Sequence, residues 1–371
     1  MLGRVRPSPV GVAAERHELR YNDECMTPPA GNEQAILVTG GAGYIGSLLV
    51  PKLLELHRVA VLDTFLFGEE PLKPVASNPR LSLIRGDIRD TALLHELLGQ
   101  HTPDVIIHLA AISNDPCSEI DPQLTLSINL TATGNLMRLA KHYGVRRFIN
   151  ASSASVYGLK SEQDVTEALS LEPLTLYAKC KADTEQILNS LVDDRFCGVS
   201  LRSATVCGYT RRLRLDLTIN ILTYHALEKG EIRVFGGSQM RPNIHVEDLT
   251  DFYVRLVGEE AGRINGRAFN VSTENSTVAG LAELVRSVVD PALPIITVPT
   301  ADNRSYHLSA ARARAELGFT PTRPLGKAVE DLVREFAAGH VPNAAGAWYR
   351  NIEVMKDPVA MQAMAFKESA A

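Results

Sequence analysis

The strongest constraint on this chain is the stretch 35–46, which has the sequence Ala-Ile-Leu-Val-Thr-Gly-Gly-Ala-Gly-Tyr-Ile-Gly. A continuous apolar run is typical of a strand that is buried on both faces of a parallel sheet. Gly40, Gly43 and Gly46 then recur every third residue, as in a tight turn that has no room for side chains. The stretch predicts a strand, a glycine turn and a helix whose N-terminus can bind an anion.

Asp63 points to a more specific ligand for this turn. It ends the next apolar run, Val59–Leu62, about twenty residues further on, where a carboxylate can bind the hydroxyl groups of an adenosine ribose. The same carboxylate would repel a 2′-phosphate, and Arg58 stands at the beginning of the run instead of its end. These residues predict NAD rather than NADP. A glycine-rich turn without a ligand is the alternative, and Asp63 counts against it.

Strand and helix patterns alternate from residue 35 to residue 206 without a hairpin signal. This alternation predicts an α/β fold with a Rossmann-type doubly wound parallel sheet. From residue 209 the pattern is less regular and predicts a second, smaller α/β lobe that binds substrate. The predicted parts are a disordered N-terminal extension (1–33), an NAD-binding domain (34–208, with return segments near 244–275), a substrate-binding lobe (209–345) and a C-terminal tail (346–371).

Composition argues against several classes of protein. The 371 residues carry a formal charge of −5, which gives no general attraction to nucleic acid or to a membrane surface. No apolar stretch is long enough to cross a bilayer, and the N-terminal segment lacks a signal-peptide core. The five cysteines are scattered and include no CxxC pair, so we expect reduced thiols, no metal site and a cytoplasmic location.

Tyr177 and Lys181 stand four residues apart in a predicted helix, so their side chains lie one above the other. A phenol with a reference pKa of about 10 is a weak base at neutral pH, and a nearby ammonium group favours its ionised form. Such a tyrosine can take the proton of a hydroxyl group while a hydride leaves the same carbon. The pair alone is a weak signal, because a tyrosine at this spacing more often packs than reacts.

A second polar segment, Ser152-Ser153-Ala154-Ser155, ends the fifth predicted strand. Ligands of open α/β sheets bind beyond the carboxyl ends of the strands, so these hydroxyl groups are expected to face the ligand. One of them can hydrogen-bond the reacting oxygen and share its proton with Tyr177. A polar loop that only caps the next element is the alternative.

Together, these motifs resemble those of the extended short-chain dehydrogenase/reductases, and most closely the NAD-dependent nucleotide-sugar epimerase/dehydratase family, which is UDP-galactose 4-epimerase-like. The resemblance runs from about Ala35 to His340. It rests on motifs that occur in the family's order, namely the glycine turn, Asp63, Gly86-Asp87-Ile88, His108-Leu109-Ala110-Ala111, the segment around Ser153, and Tyr177 with Lys181.

The resemblance implies a role for each matching residue. Tyr177 would be the base, Lys181 would orient it and bind the nicotinamide ribose, and Ser153 would be the catalytic hydroxyl. Cofactor contacts are implied for Gly40, Gly43, Tyr44, Ile45, Gly46, Asp63, Asp87, Ile88, Leu109, Ala110, Ala111, Asn129, Tyr177 and Lys181. Substrate contacts are implied for Ser113, Ser153, Ser155, Thr205, Asn220, Arg241 and Arg304, of which the two arginines suit a diphosphate.

Three other arginines, Arg211, Arg212 and Arg214, are expected to be surface or interface charges. One of them reaching the diphosphate is the alternative.

Departures from the family's patterns bear on the reaction. Dehydrating members carry an acidic pair beside the catalytic hydroxyl, and decarboxylating members carry a glutamate two residues before the tyrosine of Val156-Tyr157-Gly158. Ala154 and Ser155 occupy these positions here. The resemblance then implies a homodimeric epimerase that oxidises and re-reduces C4 of a nucleotide-diphosphate sugar. The alternatives are a reductase or dehydrogenase of a nucleotide keto-sugar and, from another class, a non-catalytic NAD-binding protein.

Overall fold

The structure, a computed structural model, describes residues 33–100, 103–300 and 305–364. The strands in these residues are β1 (Ala35–Thr39), β2 (Arg58–Asp63), β3 (Leu81–Arg85), β4 (Val105–His108), β5 (Arg147–Ser153), β6 (Cys197–Ser203), β7 (Thr205–Cys207), β8 (Ile232–Phe235), β9 (Met240–His245), β10 (Arg267–Val271), β11 (Glu274–Thr277) and β12 (Ile295–Val298).

The helices of the described residues alternate with these strands. They are α1 (Gly46–Leu54), α2 (Thr91–Gln100), α3 (Asp115–Ser118), α4 (Pro122–Leu126), α5 (Thr133–His142), α6 (Leu176–Leu191), α7 (Thr218–Lys229), α8 (Val246–Gly258), α9 (Ala261–Ile264), α10 (Val278–Val289), α11 (Ala311–Leu317), α12 (Leu325–Ala337), α13 (Asn351–Lys356) and α14 (Pro358–Ala363). None of them is long and apolar enough to cross a membrane.

Seven strands form one parallel sheet in the order β3-β2-β1-β4-β5-β6-β10. All of β1 is buried. Its Ile36 and Val38 belong to the same core cluster as Leu53 of α1, whereas Leu37 belongs to a second cluster with Leu136 of α5. A strand with apolar side chains on both faces needs cover on both, so the predicted doubly wound sheet is confirmed.

The order of the strands creates a crevice at the centre of the sheet. The chain moves outward from β1 through β2 to β3 and then crosses back to form β4 on the other side of β1. Helical connections on the two sides of this point diverge, and ligands of open α/β sheets bind there, beyond the carboxyl ends of the strands.

A smaller α/β part follows the sixth strand. β7 and β11 pair with the two edges of β9, and β8 pairs with β12. Apolar side chains of α7, α10 and α12 form a separate core cluster with those of β8. The exact division of the chain into domains stays a prediction.

Two predicted elements are wrong in detail. The sequence pattern predicts one helix over about 124–143, but a π-helical turn, Ser127–Ala132, separates α4 from α5. This turn accommodates Asn129, whose amide binds both backbone groups of Ile112. The sequence pattern also predicts one strand over 198–206, but this strand is broken at Ala204, whose N–H donates to the carbonyl oxygen of Val271.

The two ends of the chain differ in what the structure describes. The predicted N-terminal extension lies outside the described residues, apart from residue 33. The predicted C-terminal tail includes α13 and α14, and its Met355 and Met364 form a core cluster with Ile112 and Cys117. Residues 347–364 therefore pack against the carboxyl ends of the strands.

Candidate active site

A cleft of about 570 Å³ lies beyond the carboxyl ends of the central strands. Its size is in the range of small-molecule sites. The ends of β1, β2, β4, β5 and β6 contribute to its walls, together with α6, β9 and the C-terminal segment. It is therefore the crevice that the topology predicts.

The glycine turn lies at one end of the cleft. Gly40 has a φ of 74°, and a Cβ on it would lie 2.6 Å from the backbone nitrogen of Ala110. A Cβ on Gly46 would lie 2.4 Å from the carbonyl oxygen of Gly41. Only glycine fits these two positions, and the turn ends at the N-terminus of α1 beside the cleft. Backbone exposed in this way fits the diphosphate of a dinucleotide.

Asp63 ends β2 next to this turn. One of its carboxylate oxygens accepts a hydrogen bond from the N–H of Ala42 (2.9 Å), and the other accepts one from the N–H of Phe65 (2.9 Å). Burial raises the pKa of Asp63, while these two bonds and nearby arginines lower it. The carboxylate is thus held in the cleft with lone pairs left for ribose hydroxyl groups.

Asp87 and Ile88 line the cleft beyond β3. The carboxylate of Asp87 pairs with Arg89 (2.6 Å), and Arg89 also donates to the backbone oxygen of Met364 (2.6 Å). Met364 lines the same part of the cleft. The C-terminal segment is therefore attached to the end where adenine is expected.

Leu109, Ala110 and Ala111 line the cleft where β4 ends. Asn129 does not line the cleft. Its side chain binds both the N–H and the carbonyl oxygen of Ile112 at 2.8 Å. Asn129 therefore holds the backbone of Ile112 in position without facing the cleft itself.

Ser153, Tyr177 and Lys181 come together on one side of the cleft, and we call them the catalytic wall. Lys181 Nζ lies 5.7 Å from the centre of the Tyr177 ring and donates to the carbonyl oxygen of Ala151 at 2.6 Å. Ser153 is close enough to the Tyr177 hydroxyl group to lower its pKa. The Ser155 hydroxyl donates to Ser153 Oγ at 3.0 Å. A phenol, a second hydroxyl and an ammonium group thus occupy one small region.

The electrostatics of the catalytic wall oppose its charged forms. Burial raises the pKa of Tyr177 to about 12, and Asp115 adds to this rise, whereas Arg214 and Ser153 lower it. Burial lowers the pKa of Lys181 to about 8. A positive charge bound nearby would favour the phenolate of Tyr177.

The side chain of the neighbouring Tyr157 is buried and hydrogen-bonded inside the core. Its hydroxyl donates to Asn270 Oδ1 (2.7 Å) and accepts from Arg202 (2.8 Å), which pairs with Glu185 (2.6 Å). Glu185 also accepts a hydrogen bond from Ser152. This network fixes the end of β5, and it leaves Tyr177 as the tyrosine of the two that faces the cleft.

The predicted substrate residues fall into three groups. Ser113, Ser153, Ser155, Thr205 and Arg241 line the cleft. Asn220 does not, because it is fully buried and its amide binds Gly208, Tyr44 and Arg214. Arg304 lies outside the described residues.

The same contacts explain the placement of Tyr44. Its hydroxyl donates to the carbonyl oxygen of Gly208 at 2.7 Å, and burial raises its pKa. Tyr44 lines the cleft with Ile45. Its phenol binds the segment that leads to Arg212 and Arg214.

The expectation for the arginine cluster is wrong for two of its three members. Arg211 is exposed, but Arg212 and Arg214 are buried and line the cleft. Arg214 forms two hydrogen bonds to the carboxylate of Asp216 (2.9 and 3.1 Å) and one to Ser113 Oγ (3.1 Å). Asp216, two residues after Arg214, was the signal in the sequence that this arginine has an internal partner.

Asn351 completes this side of the cleft from the C-terminal segment. Its side chain donates to Ser113 Oγ (3.0 Å) and accepts from Arg212 (2.5 Å), and its N–H donates to Asp216 (3.1 Å). We call Arg212, Arg214, Asp216 and Asn351 the arginine wall. No motif in the sequence predicted a role for Asn351 in this site.

The chain is similar to known proteins over most of its length. Residues 36–272 match the model of the NAD dependent epimerase/dehydratase family. A UDP-glucose 4-epimerase of Mycolicibacterium smegmatis is 33% identical over 310 residues, which cover 81% of this chain and 97% of that protein. UDP-glucuronic acid decarboxylase 1 of Arabidopsis thaliana is 31% identical over 314 residues, which cover 81% of this chain and 69% of that protein.

A solved structure shares the fold. UDP-glucuronic acid 4-epimerase from Bacillus cereus, in complex with UDP-glucuronic acid and NAD, superposes with a TM-score of 0.74 at 26% identity and covers 82% of this chain and 99% of its own. The glycine turn, Asp63 and the catalytic wall of this chain all line one cleft. The chain belongs to the NAD-dependent epimerase/dehydratase family of nucleotide-sugar enzymes.

Proposed function

We propose that the protein is an epimerase that inverts C4 of a nucleotide-diphosphate sugar. The observation that carries this proposal is the composition of the catalytic wall. It contains Ser153, Tyr177 and Lys181, the set needed to oxidise and reduce an alcohol carbon. Ala154 and Ser155 stand where dehydrating and decarboxylating members of the family are expected to hold acids.

The residues of the catalytic wall divide the work at one oxygen. Tyr177, as phenolate, takes the proton of the C4 hydroxyl group, and Ser153 hydrogen-bonds the same oxygen. Lys181 places a positive charge near the Tyr177 ring. Bound NAD supplies a hydride acceptor for C4 and a donor for the opposite face of the resulting ketone. Tyr177 returns its proton to the oxygen, so the product differs from the substrate only in configuration.

Two carboxylates in the cleft are already engaged by other side chains. Asp115 accepts a hydrogen bond from the Thr175 hydroxyl at 2.6 Å, and Asp216 forms the pair with Arg214. A general acid or base for a neighbouring carbon needs a carboxyl group that is available to the substrate. Of the two, Asp216 is neutralised by Arg214, and this supports epimerisation over loss of water or carbon dioxide.

The test supplies the purified protein with UDP-, GDP-, dTDP- and CDP-sugars, beginning with UDP-sugars because the named relatives act on them. We expect one sugar to be converted to an isomer of equal mass without net formation of NADH. In heavy water the product should carry no deuterium on carbon, because the hydride that leaves C4 returns to it. Folded Tyr177→Phe is the control and should give no isomer.

Other outcomes assign a different reaction. Loss of water or carbon dioxide would contradict the interpretation of Ala154 and Ser155. Stoichiometric consumption of NADH would indicate a reductase of a keto-sugar. No conversion in the presence of NAD binding would favour a non-catalytic binding protein.

We further propose a cytoplasmic homodimer, as expected for the family. Light scattering after size-exclusion chromatography measures the mass directly, and a monomer would contradict the dimer.

A further inference from the structure

Arg212 is a buried cation whose hydrogen bonds, among the described residues, go to uncharged groups. It is 1% exposed, and its guanidinium carbon lies 3.6 Å from the centre of the Phe67 ring. Its Nη1 donates to the backbone oxygen of Leu213 (2.8 Å), and its Nη2 donates to Asn351 Oδ1 (2.5 Å). Its Nε is buried without a hydrogen-bond partner among the described residues. Within the part of the chain that the structure describes, this guanidinium group forms no ion pair with a carboxylate.

The nearest carboxylates have other partners. Asp216 is bound by Arg214 and by the N–H of Asn351, and Asp63 is bound by two backbone N–H groups. Burial, with Arg214 adding to it, lowers the pKa of Arg212 to about 9, and the attraction of Asp216 and Asp63 offsets only part of this fall. A buried charge without compensation costs several kcal/mol, and an anion that enters the cleft would remove much of that cost.

The position of Arg212 limits which anion can bind to it. Arg212, Phe67, Asp63 and the glycine turn line the same cleft. The segment before Arg212 is fixed to the turn, because Tyr44 of the turn donates to Gly208. Besides any carboxylate on the sugar, the ligands of this family bring a diphosphate to the cleft, and they bring it in two forms. One lies within the dinucleotide and the other within the nucleotide sugar.

We propose that Arg212 is a binding group for the diphosphate of NAD, in the cleft that the glycine turn also lines, and that the C-terminal segment holds it in place. The dinucleotide is favoured over the nucleotide sugar because Arg212 lies in the neighbourhood of Asp63, which is expected to bind the adenosine ribose of the same molecule. This inference rests on the cofactor of the family and not on the epimerase reaction, so either can fail without the other.

The C-terminal segment supplies two of the groups that hold Arg212. Trp348 lies with its ring centre 5.8 Å from the guanidinium carbon and packs edge-on against Phe67. Asn351 accepts from Nη2 while its own amide donates to Ser113. The guanidinium group is therefore oriented by residues far along the chain, as a fixed binding group requires.

The experiment compares ligands that differ only in phosphate. Calorimetry on protein freed of cofactor measures the affinities for adenosine, ADP, NAD, uridine and UDP. Arg212→Met keeps an apolar side chain against Phe67 and Trp348 and removes the charge. We expect this variant to bind ADP and NAD about 10- to 100-fold more weakly, whereas its affinities for adenosine, uridine and UDP should change by less than about threefold. Exposed Arg211→Met is the matched control and should change none of them.

Three results would overturn the proposal. An equal loss for adenosine and ADP would show that Arg212 only supports the fold. A loss for UDP instead of ADP would assign Arg212 to the sugar nucleotide, and no loss at all would remove it from both sites. If Arg212→Met does not fold, the proposal is tested with Arg212→Lys and Asn351→Ala instead. Each of these variants should lower the ratio of the affinity for ADP to the affinity for adenosine. An unchanged ratio in both variants contradicts the proposal.

Discussion

The two sides of the cleft are built in different ways. The catalytic wall comes from adjacent elements, since Ser153 ends β5 and Tyr177 and Lys181 lie together on α6. The arginine wall joins distant parts of the chain, because Asn351 and Ser113 are 238 residues apart and still bind each other. The first wall is defined by local spacing, and the second exists only when the C-terminal segment is packed.

The two walls also differ in how their charges are satisfied. In the catalytic wall, the pKa values of Tyr177 and Lys181 are moved away from the charged forms that catalysis uses. In the arginine wall, Arg214 and Asp216 neutralise each other, and only Arg212 has its pKa moved away from the charged form. We infer that the catalytic wall is built for chemistry at a cost in stability, whereas the arginine wall is built to bind and to hold the chain together.

The largest effect should come from the catalytic wall. Tyr177→Phe keeps the ring and removes the hydroxyl group, so turnover should fall by about 100- to 10,000-fold. Circular dichroism should show an unchanged fold, and NAD affinity should stay within a few-fold of the original. Near-normal turnover in the folded variant would contradict the difference between the two walls, because the base would then lie elsewhere in the cleft.

The choice of cofactor is expected to depend on Asp63, next to the arginine wall. Asp63→Ser removes the carboxylate that binds the ribose and repels a 2′-phosphate. It should reduce the preference for NAD over NADP by about 10- to 100-fold, measured by calorimetry with both dinucleotides. If the original protein binds both equally well, Asp63 does not face the adenosine ribose. Asp90→Ser, a carboxylate at the start of α2, is the control.

A third test asks whether the catalytic wall costs stability. Burial lowers the pKa of Lys181 to about 8, below its ordinary value of about 10.4. The unfolded chain therefore binds the proton more tightly, and the charged lysine destabilises the fold fully below pH 8 and no longer above about pH 10.4. Lys181→Met should stabilise the cofactor-free protein by about 1–3 kcal/mol at pH 7, after the lost bond to Ala151 is counted.

Urea unfolding at pH 7 and pH 10 measures this effect. The gain from Lys181→Met should shrink as the pH rises. Lys179→Met, on the exposed face of the same helix, should show no such dependence. A variant less stable than the original at pH 7 would mean that the bonds of Lys181 outweigh its desolvation.

The fold was predictable because its signals are local. The apolar run before Gly40 and the alternation of strands and helices predicted the sheet. The sequence pattern also predicts a helix over 278–289, which are the bounds of α10. The π-helical turn around Asn129 was not predictable, because it depends on a contact with Ile112 that the spacing of residues in the sequence does not indicate. The break at Ala204 likewise depends on pairing with Val271.

The site was predictable to the extent that a motif marks it. Tyr177 and Lys181 are recognisable by a spacing of four, and both lie in the cleft. Arg212 and Arg214 alternate with leucines, a pattern that suggests cations on an exposed face. Their burial requires Asp216, Phe67 and the C-terminal segment, whose contacts arise only in the folded chain.

The smallest effect should come from Asn351, and it tests whether the arginine wall binds as a unit. Asn351→Ala removes the acceptor of Arg212 Nη2 and the donor to Ser113, but no charge. NAD should then bind about 3- to 10-fold more weakly. Trp348 is the only tryptophan and lies against Arg212 and Phe67, so its fluorescence is expected to change when NAD binds and to measure the affinity.

The matched control for this test is Asn343→Gly, in the same segment. Asn343 is exposed with a φ of 52°, a conformation that glycine adopts readily, so its replacement should leave NAD affinity unchanged. If Asn351→Ala binds NAD as the original protein does while Trp348 still responds, the guanidinium group keeps its position without Asn351. If Trp348 does not respond to NAD in the original protein either, the arginine wall does not contact the cofactor, and only the catalytic wall belongs to its site.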